Sequence, residues 1–191
     1  MNFVSIPFVI LLISLLLLLA VVRAPAGRKI VLLAACCVFY AWWDWRFFLL
    51  LTAFTVLNYI ISLRLVASSD NKTRRVWLIS GIVISLVFLG FFKYFNFFVD
   101  SLNLLFASFS WRLQTLNIIL PLGISFYTFE SLSYLIDIDR ETAEPAKSLL
   151  DYALFMAFFP RMVSGPIVRA AQFFPQLERG ILLNFNLVFM G

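Results

Sequence analysis

The 191-residue sequence contains no histidine and only two cysteines, Cys36 and Cys37, which are neighbours. Without histidine the chain can supply neither a Ser-His-Asp triad nor a histidine-ligated metal site of its own. Two adjacent cysteines in an apolar run cannot build a disulfide framework, and they read as small buried hydrophobes. Charge is scarce as well. Asp, Glu, Lys and Arg make up 13% of the residues, against about 25% in soluble domains. In their place 63% of the chain is hydrophobic, 23 residues are phenylalanine and the mean hydropathy is +0.98. A globule of this size has no interior for so much apolar surface. The composition excludes a soluble domain, a disordered chain and a nucleic-acid-binding module, and it predicts an all-α integral membrane protein.

A helix needs about 20 apolar residues to cross the hydrocarbon core. Residues 2–22 carry no charge and are followed, rather than preceded, by Arg23, Arg28 and Lys29, the reverse of a signal peptide. They read as a retained first span. Residues 30–43 form a shorter run ending in Trp42-Trp43-Asp44-Trp45-Arg46, a cluster suited to a turn at the headgroup level. Runs at 47–63 and 76–92 follow, separated by a loop holding Arg64, Lys72, Arg74 and Arg75. Basic loops stay in the cytoplasm. Segments 23–29 and 64–75 carry three and four basic residues against Arg46 alone in the turn between them. Both are therefore expected on the cytoplasmic side, with the N-terminus and the aromatic turn outside.

Residues 97–117 are mixed in character and suit an outer loop or a helix lying in the interface. A fifth span is expected over 118–138, opening on Pro121-Leu122-Gly123, with a cytoplasmic loop of four acids and two bases over 137–147. Residues 149–163 are apolar again, but Pro160, Gly165, Pro166 and Pro175 exclude a continuous helix. Broken backbone at membrane depth is tolerated only within protein or beside a hydrated cavity, which makes 159–176 the candidate cavity-lining segment. The uncharged run 180–191 is too short to cross, so the chain reads as a fragment of a longer protein; the alternative is a last stretch lying flat in the interface. The expected architecture is about six transmembrane or re-entrant helices plus the start of another.

Charged groups at membrane depth face the bundle interior and are candidates for function. Tyr127, Glu130, Tyr134 and Asp137 recur at spacings of three, four and three, one face of a helix. This stripe either lines a polar substrate path or packs, with Glu130 paired to Arg161 or Arg169; Asp137 is close enough to the span's end to be interfacial. Arg161 and Arg169 flank Ser164-Gly165-Pro166, where an arginine can hold an anionic group or pair with Glu130 or Asp151. Lys93, beside Tyr94 and Asn96, reads as a lysine reaching for the interface. Asp44 and Arg46 are expected to pair or to face water. Ser125 and Ser164 have no local base to activate them.

Several ordered motifs say more. Phe39-Tyr40-Ala41-Trp42, Leu57-Asn58-Tyr59, Phe92-Lys93-Tyr94-Phe95-Asn96-Phe97-Phe98, Leu120-Pro121-Leu122-Gly123-Ile124-Ser125-Phe126, Ser133-Tyr134-Leu135-Ile136-Asp137, Phe158-Phe159-Pro160, Val163-Ser164-Gly165-Pro166-Ile167-Val168-Arg169 and Phe174-Pro175-Gln176-Leu177 occur in this sequence order. Together they resemble the N-terminal part of the membrane-bound O-acyltransferase family, in its bacterial alginate O-acetyltransferase-like branch, with the teichoic-acid D-alanylation transporter-like proteins as cousins. The resemblance covers nearly the whole chain.

It implies that residues 1–191 are the N-terminal part of a single membrane-embedded acyltransferase domain, a ring of helices around a funnel or tunnel in the bacterial inner membrane. Such proteins move an acyl group, here an acetyl group, from a cytoplasmic donor (acetyl-CoA or an acyl carrier) to a hydroxyl of a cell-surface polysaccharide. The implied partners are membrane lipid, the polysaccharide acceptor and periplasmic acetylation proteins, with no nucleic acid, no bound cofactor and no metal. The family's general base is a histidine downstream of Arg169, so no catalytic residue carries over and the chain by itself is expected to be inactive. Tyr127, Glu130, Tyr134, Ser164 and Arg169 are the tunnel-lining candidates, and Pro121, Gly123, Gly165 and Pro166 the backbone-shaping ones. The sequence departs from the family pattern at Glu130, where an amide is commoner, and at Asp139, where an aromatic is. Two rivals are a transporter or channel fragment, which also uses broken helices at the midplane, and a non-catalytic membrane scaffold subunit.

Overall fold

The computed structural model describes residues 5–105, 114–116, 118–162, 165 and 168–178. Among them the chain forms helices and no strand: α1 (Ile6–Val21), α2 (Pro25–Ala41), α3 (Trp45–Ala67), α4 (Asn71–Leu105), α5 (Ile124–Asp139), α6 (Leu149–Ala157), the single turn α7 (Phe159–Met162) and α8 (Ala170–Glu178). The all-α expectation holds. Helix starts follow local chemistry. Pro7 and Pro25 occupy first turns of α1 and α2, where a missing N–H is harmless. Asp44 caps α3 by accepting from the Arg46 N–H at 2.9 Å, and Ser148 caps α6 by accepting from the Asp151 N–H at 3.1 Å.

Two boundaries differ from the sequence expectation. Residues 97–105 are the last turns of α4 rather than a loop or a separate interfacial helix. No proline or glycine interrupts the chain after Gly90, and α4 reaches 35 residues, about 52 Å at 1.5 Å per residue. The fifth helix starts at Ile124 rather than 118. The Pro121 carbonyl accepts from the Ile124 N–H at 3.3 Å, and Gly123 takes the left-handed φ of 72° that closes this turn. The break expected at Pro160 is present: α6 stops at Ala157, because Pro160 cannot donate to the Met156 carbonyl four residues back. Pro175, expected to break the chain, lies exposed inside α8, which continues through it.

Helices α3 and α4 are long and apolar enough to cross a membrane; α1 is more apolar still but shorter, at 16 residues. The helices turn apolar side chains outward and polar ones inward. Ile10, Leu17, Val87 and Phe97 are each more than half exposed, whereas Asn58, Thr128 and Ser131 are fully buried. An outer surface of this kind suits lipid rather than water. Two apolar clusters fill the interior, one built on α3, α4, α5, α6 and α8 with Tyr40 of α2, the other on α1, α2, α6, α7 and α8. Gly81 lets α4 approach α5 and α3: a Cβ there would stand 2.6 Å from Leu135 Cδ1 and 3.1 Å from Ile61 Cγ2.

The links gather at two ends. Lys29 pairs with Asp151 at 2.5 Å, Arg74 with Asp139 at 3.1 Å and Glu141 at 3.4 Å, and Lys147 with Glu178 at 2.7 Å. The basic segments around 23–29 and 64–75 are thereby tied to one and the same stretch, 139–151. The Trp42-to-Arg46 turn lies at the opposite end of α2 and α3, where the Tyr40 hydroxyl donates to the Leu122 carbonyl at 2.7 Å.

Candidate functional site

Helix α5 carries the predicted stripe into the middle of the bundle. Tyr127, Glu130, Tyr134 and Asp137 are all buried, and so are their neighbours Thr128, Ser131, Leu135 and Ile138, so α5 is surrounded on more than one face. Its two ends are pinned. At the start, the Leu122 carbonyl receives Tyr40 from α2. At the finish, Arg74 from α4 donates through Nη2 to the carbonyls of Ile138 and Asp139 at 3.1 and 2.8 Å, a cation placed on the negative end of the helix.

Glu130 is 1% exposed and meets Arg161 of α7, Oε1 to Nη1, at 3.0 Å. The second terminal nitrogen of Arg161 donates to the Phe155 carbonyl at 2.9 Å, one of the last carbonyls of α6. Three rings enclose the guanidinium: Phe173 at 4.5 Å, Phe158 at 5.4 Å and Phe155 at 5.5 Å. Aromatic faces attract a cation, most strongly where water is excluded. One arginine thus touches α5, α6, the α6–α7 junction and α8. Of the two arginines offered as partners for Glu130, the structure selects Arg161; Asp151 is taken by Lys29, and the Arg169 side chain is exposed.

The remaining stripe residues make neutral bonds. Tyr134 donates to Ser62 Oγ of α3 at 3.4 Å and accepts from the Ala146 N–H at 3.1 Å. The Tyr127 hydroxyl lies against that of Tyr40 without a well-aligned hydrogen bond. Asp137 uses its backbone carbonyl to receive the N–H of Thr142 at 2.9 Å and shapes the turn after α5. Among the backbone-shaping candidates, Gly123 and Pro121 form the entry turn of α5. Gly165 donates its N–H to the Arg161 carbonyl at 2.8 Å. A Cβ on Gly165 would fall 2.7 Å from Arg161 Cα, so glycine is the residue that fits. Ser164 and Pro166 lie outside the described residues.

Sequence reasoning missed a second polar row. Thr55, Asn58 and Ser62 of α3 are buried, and Asn58 Oδ1 accepts from Ser85 of α4 at 3.3 Å. Ser131 and Tyr152 share a hydrogen bond at 3.2 Å. The signal was present: spacings of three and four on an apolar helix, the same pattern that identifies the α5 stripe. Outside the bundle, Asp44 and Arg46 pair as expected through contacts of 2.7–3.2 Å, and the Arg46 guanidinium holds the Asp44 carboxyl below the usual carboxylate range. Lys147 is raised above the usual lysine value by the Glu178 carboxylate.

The arrangement is a buried, partly ionic core inside an apolar shell. No group of three or more acids and cysteines able to hold a metal occurs among the described residues. Comparison with known proteins adds the following. The chain is 47% identical, over 68% of its length, to a Pseudomonas aeruginosa protein named probable alginate O-acetylase AlgI, and 45% identical over the same share to the Azotobacter vinelandii protein of that name. It is 33% identical, over 79% of its length, to a peptidoglycan O-acetyltransferase of Helicobacter pylori. The matched regions make up 25%, 26% and 33% of those relatives, so the chain spans about a quarter to a third of their length. No protein-family model matches the chain. No solved structure matches it.

Proposed function

We propose that the chain belongs with the alginate O-acetylase-like proteins of the membrane-bound O-acyltransferase family and forms part of a membrane enzyme that O-acetylates a cell-surface polysaccharide or peptidoglycan. The observation that carries this reading is the 47% identity across two thirds of the chain. The physical supports are the apolar outer surface and the buried polar rows of α3 and α5.

The finer reading has four parts. The protein is a multi-pass protein of the bacterial inner membrane, with the end bearing the 23–29 and 64–75 segments in the cytoplasm and the N-terminus outside. The donor is acetyl-CoA or an acyl carrier, reached from the cytoplasm. The acceptor hydroxyl attacks the thioester carbonyl, a C–O bond forms as the C–S bond breaks, the thiol departs and a base takes the hydroxyl proton. That base lies outside these histidine-free residues. The chain contributes part of the wall of the passage, with the exposed Arg169 toward it and the buried Tyr127, Glu130 and Tyr134 bracing it from behind, and periplasmic acetylation proteins act on the acceptor side.

Deleting the gene that encodes this chain should remove the O-acetyl esters released by mild alkali from the exopolysaccharide or the peptidoglycan, and re-expression should restore them. Unchanged ester content in both polymers would refute the reading. The orientation has its own test in the intact gene product with Cys36 and Cys37 replaced by serine. A cysteine at Trp43 should react with a membrane-impermeant maleimide in cells whose outer membrane is permeabilised, and one at Lys72 only after the inner membrane is opened. The reverse order would invert the topology.

A further inference from the structure

The break between α6 and α8 is held together by one side chain. Arg161 stands on a single helical turn that has few backbone bonds of its own, and its side chain joins Glu130 on α5, the Phe155 carbonyl on α6 and the ring of Phe173 on α8. Its carbonyl also receives the Gly165 N–H. Behind the turn lies Cys36 of α2, fully buried, with its sulfur against the Phe159 backbone. A helix break at membrane depth needs protein groups to replace the lost intrahelical bonds; here the guanidinium satisfies the Phe155 carbonyl and also ties that end of α6 to α5 and α8.

We infer that Arg161 is a positioning residue, which holds the α6–α7–α8 break in register with α5 and thereby fixes that wall of the acetyl-transfer passage. The role rests on the enzymatic reading given above, but its geometric part does not depend on catalysis. Releasing the guanidinium frees α7 from α5 and α8 while α3, α4 and α5 stay packed on one another. Of the guanidinium's contacts with Glu130, the Phe155 carbonyl and the three rings, Glu130 alone lies on those helices.

The test uses the intact gene product in native membranes, with Cys37 changed to serine so that Cys36 is the reporter within this segment. N-ethylmaleimide should modify Cys36 slowly in the parent. Arg161→Ala should raise the rate about tenfold or more by local opening, whereas Arg161→Lys, which keeps a cation against Glu130 and the rings, should stay near the parent rate. Leu135→Ala, a cut in the other cluster, should leave Cys36 protected. In acetyl transfer, Arg161→Ala should lower kcat with KM for the donor little changed, and Arg161→Lys should recover part of the loss. Equal Cys36 labelling in the parent and Arg161→Ala, equal labelling in Arg161→Ala and Leu135→Ala, or an unchanged kcat in an opened protein would each overturn the inference. A parent with no acetyl transfer would refute the enzymatic reading, and the labelling arm would still decide the brace.

Discussion

Glu130→Met and Arg161→Met, made singly, should each destabilise the detergent-solubilised protein by about 3–5 kcal/mol, while the double substitution should be milder than either. The reasoning is electrostatic. Taking an ion out of water is expensive; in the folded chain Glu130 offsets that expense through Arg161, 3.0 Å away, and Arg161 offsets it through Glu130 together with the Phe155 carbonyl and three rings. Removing one leaves a buried charge with no counter-ion. Removing both leaves two flexible apolar side chains of similar volume in a space already lined by Phe155, Phe158 and Phe173. The double keeps one loss, since the Phe155 carbonyl no longer receives Nη2, so it should not reach the parent's stability. Thermal melting of the four proteins closes the cycle, with a coupling energy of about 2–3 kcal/mol between the sites. Singles within 1 kcal/mol of the parent and additive in the double would mean that the pair is hydrated rather than buried.

The two members of this pair differ in how plainly the sequence marks them. The α5 stripe was legible because an amphipathic signal survives inversion: on a helix whose apolar residues are Phe, Leu and Ile, large polar groups at spacings of three and four have one side to share. The choice between Arg161 and Arg169 was not legible. Both sit on a segment whose path is set by Pro160 and by the close seat of Gly165 on Arg161, and no periodicity runs through such a break. The end of α4 was obscured for a different reason. Asp100 and Asn103 look like loop residues in a hydropathy profile, yet they cost a helix little once it has cleared the hydrocarbon core of about 30 Å. The start of α5 failed at the opposite scale, where a single left-handed glycine ends an apolar run that hydropathy reads as continuous. The pairing of the two basic segments with 139–151 was legible only as a shared side; the individual partners, Lys29 with Asp151 and Arg74 with Asp139, are tertiary facts.

Gly165→Ala should be as damaging as losing a large buried side chain, although it adds one carbon. The new Cβ would stand 2.7 Å from Arg161 Cα, 2.9 Å from its Cβ and 3.0 Å from its carbonyl oxygen. Two of these three atoms are backbone, so no rotamer change clears the contact, and the Gly165 N–H must leave the Arg161 carbonyl it holds at 2.8 Å. The displacement is delivered to the residue whose guanidinium braces α5, α6 and α8. Overpacking alone is worth about 1–3 kcal/mol, and the strained ion pair adds to it, so a loss of about 3 kcal/mol or more is expected. Gly81→Ala gives the contrast. Its nearest obstacle, at 2.6 Å, is the tip of the Leu135 side chain, which can turn aside, so the melting temperature should fall by less than in Gly165→Ala. Should the two alanine variants melt together, the backbone seat of Gly165 on Arg161 would not be the tight contact that the helix break depends on.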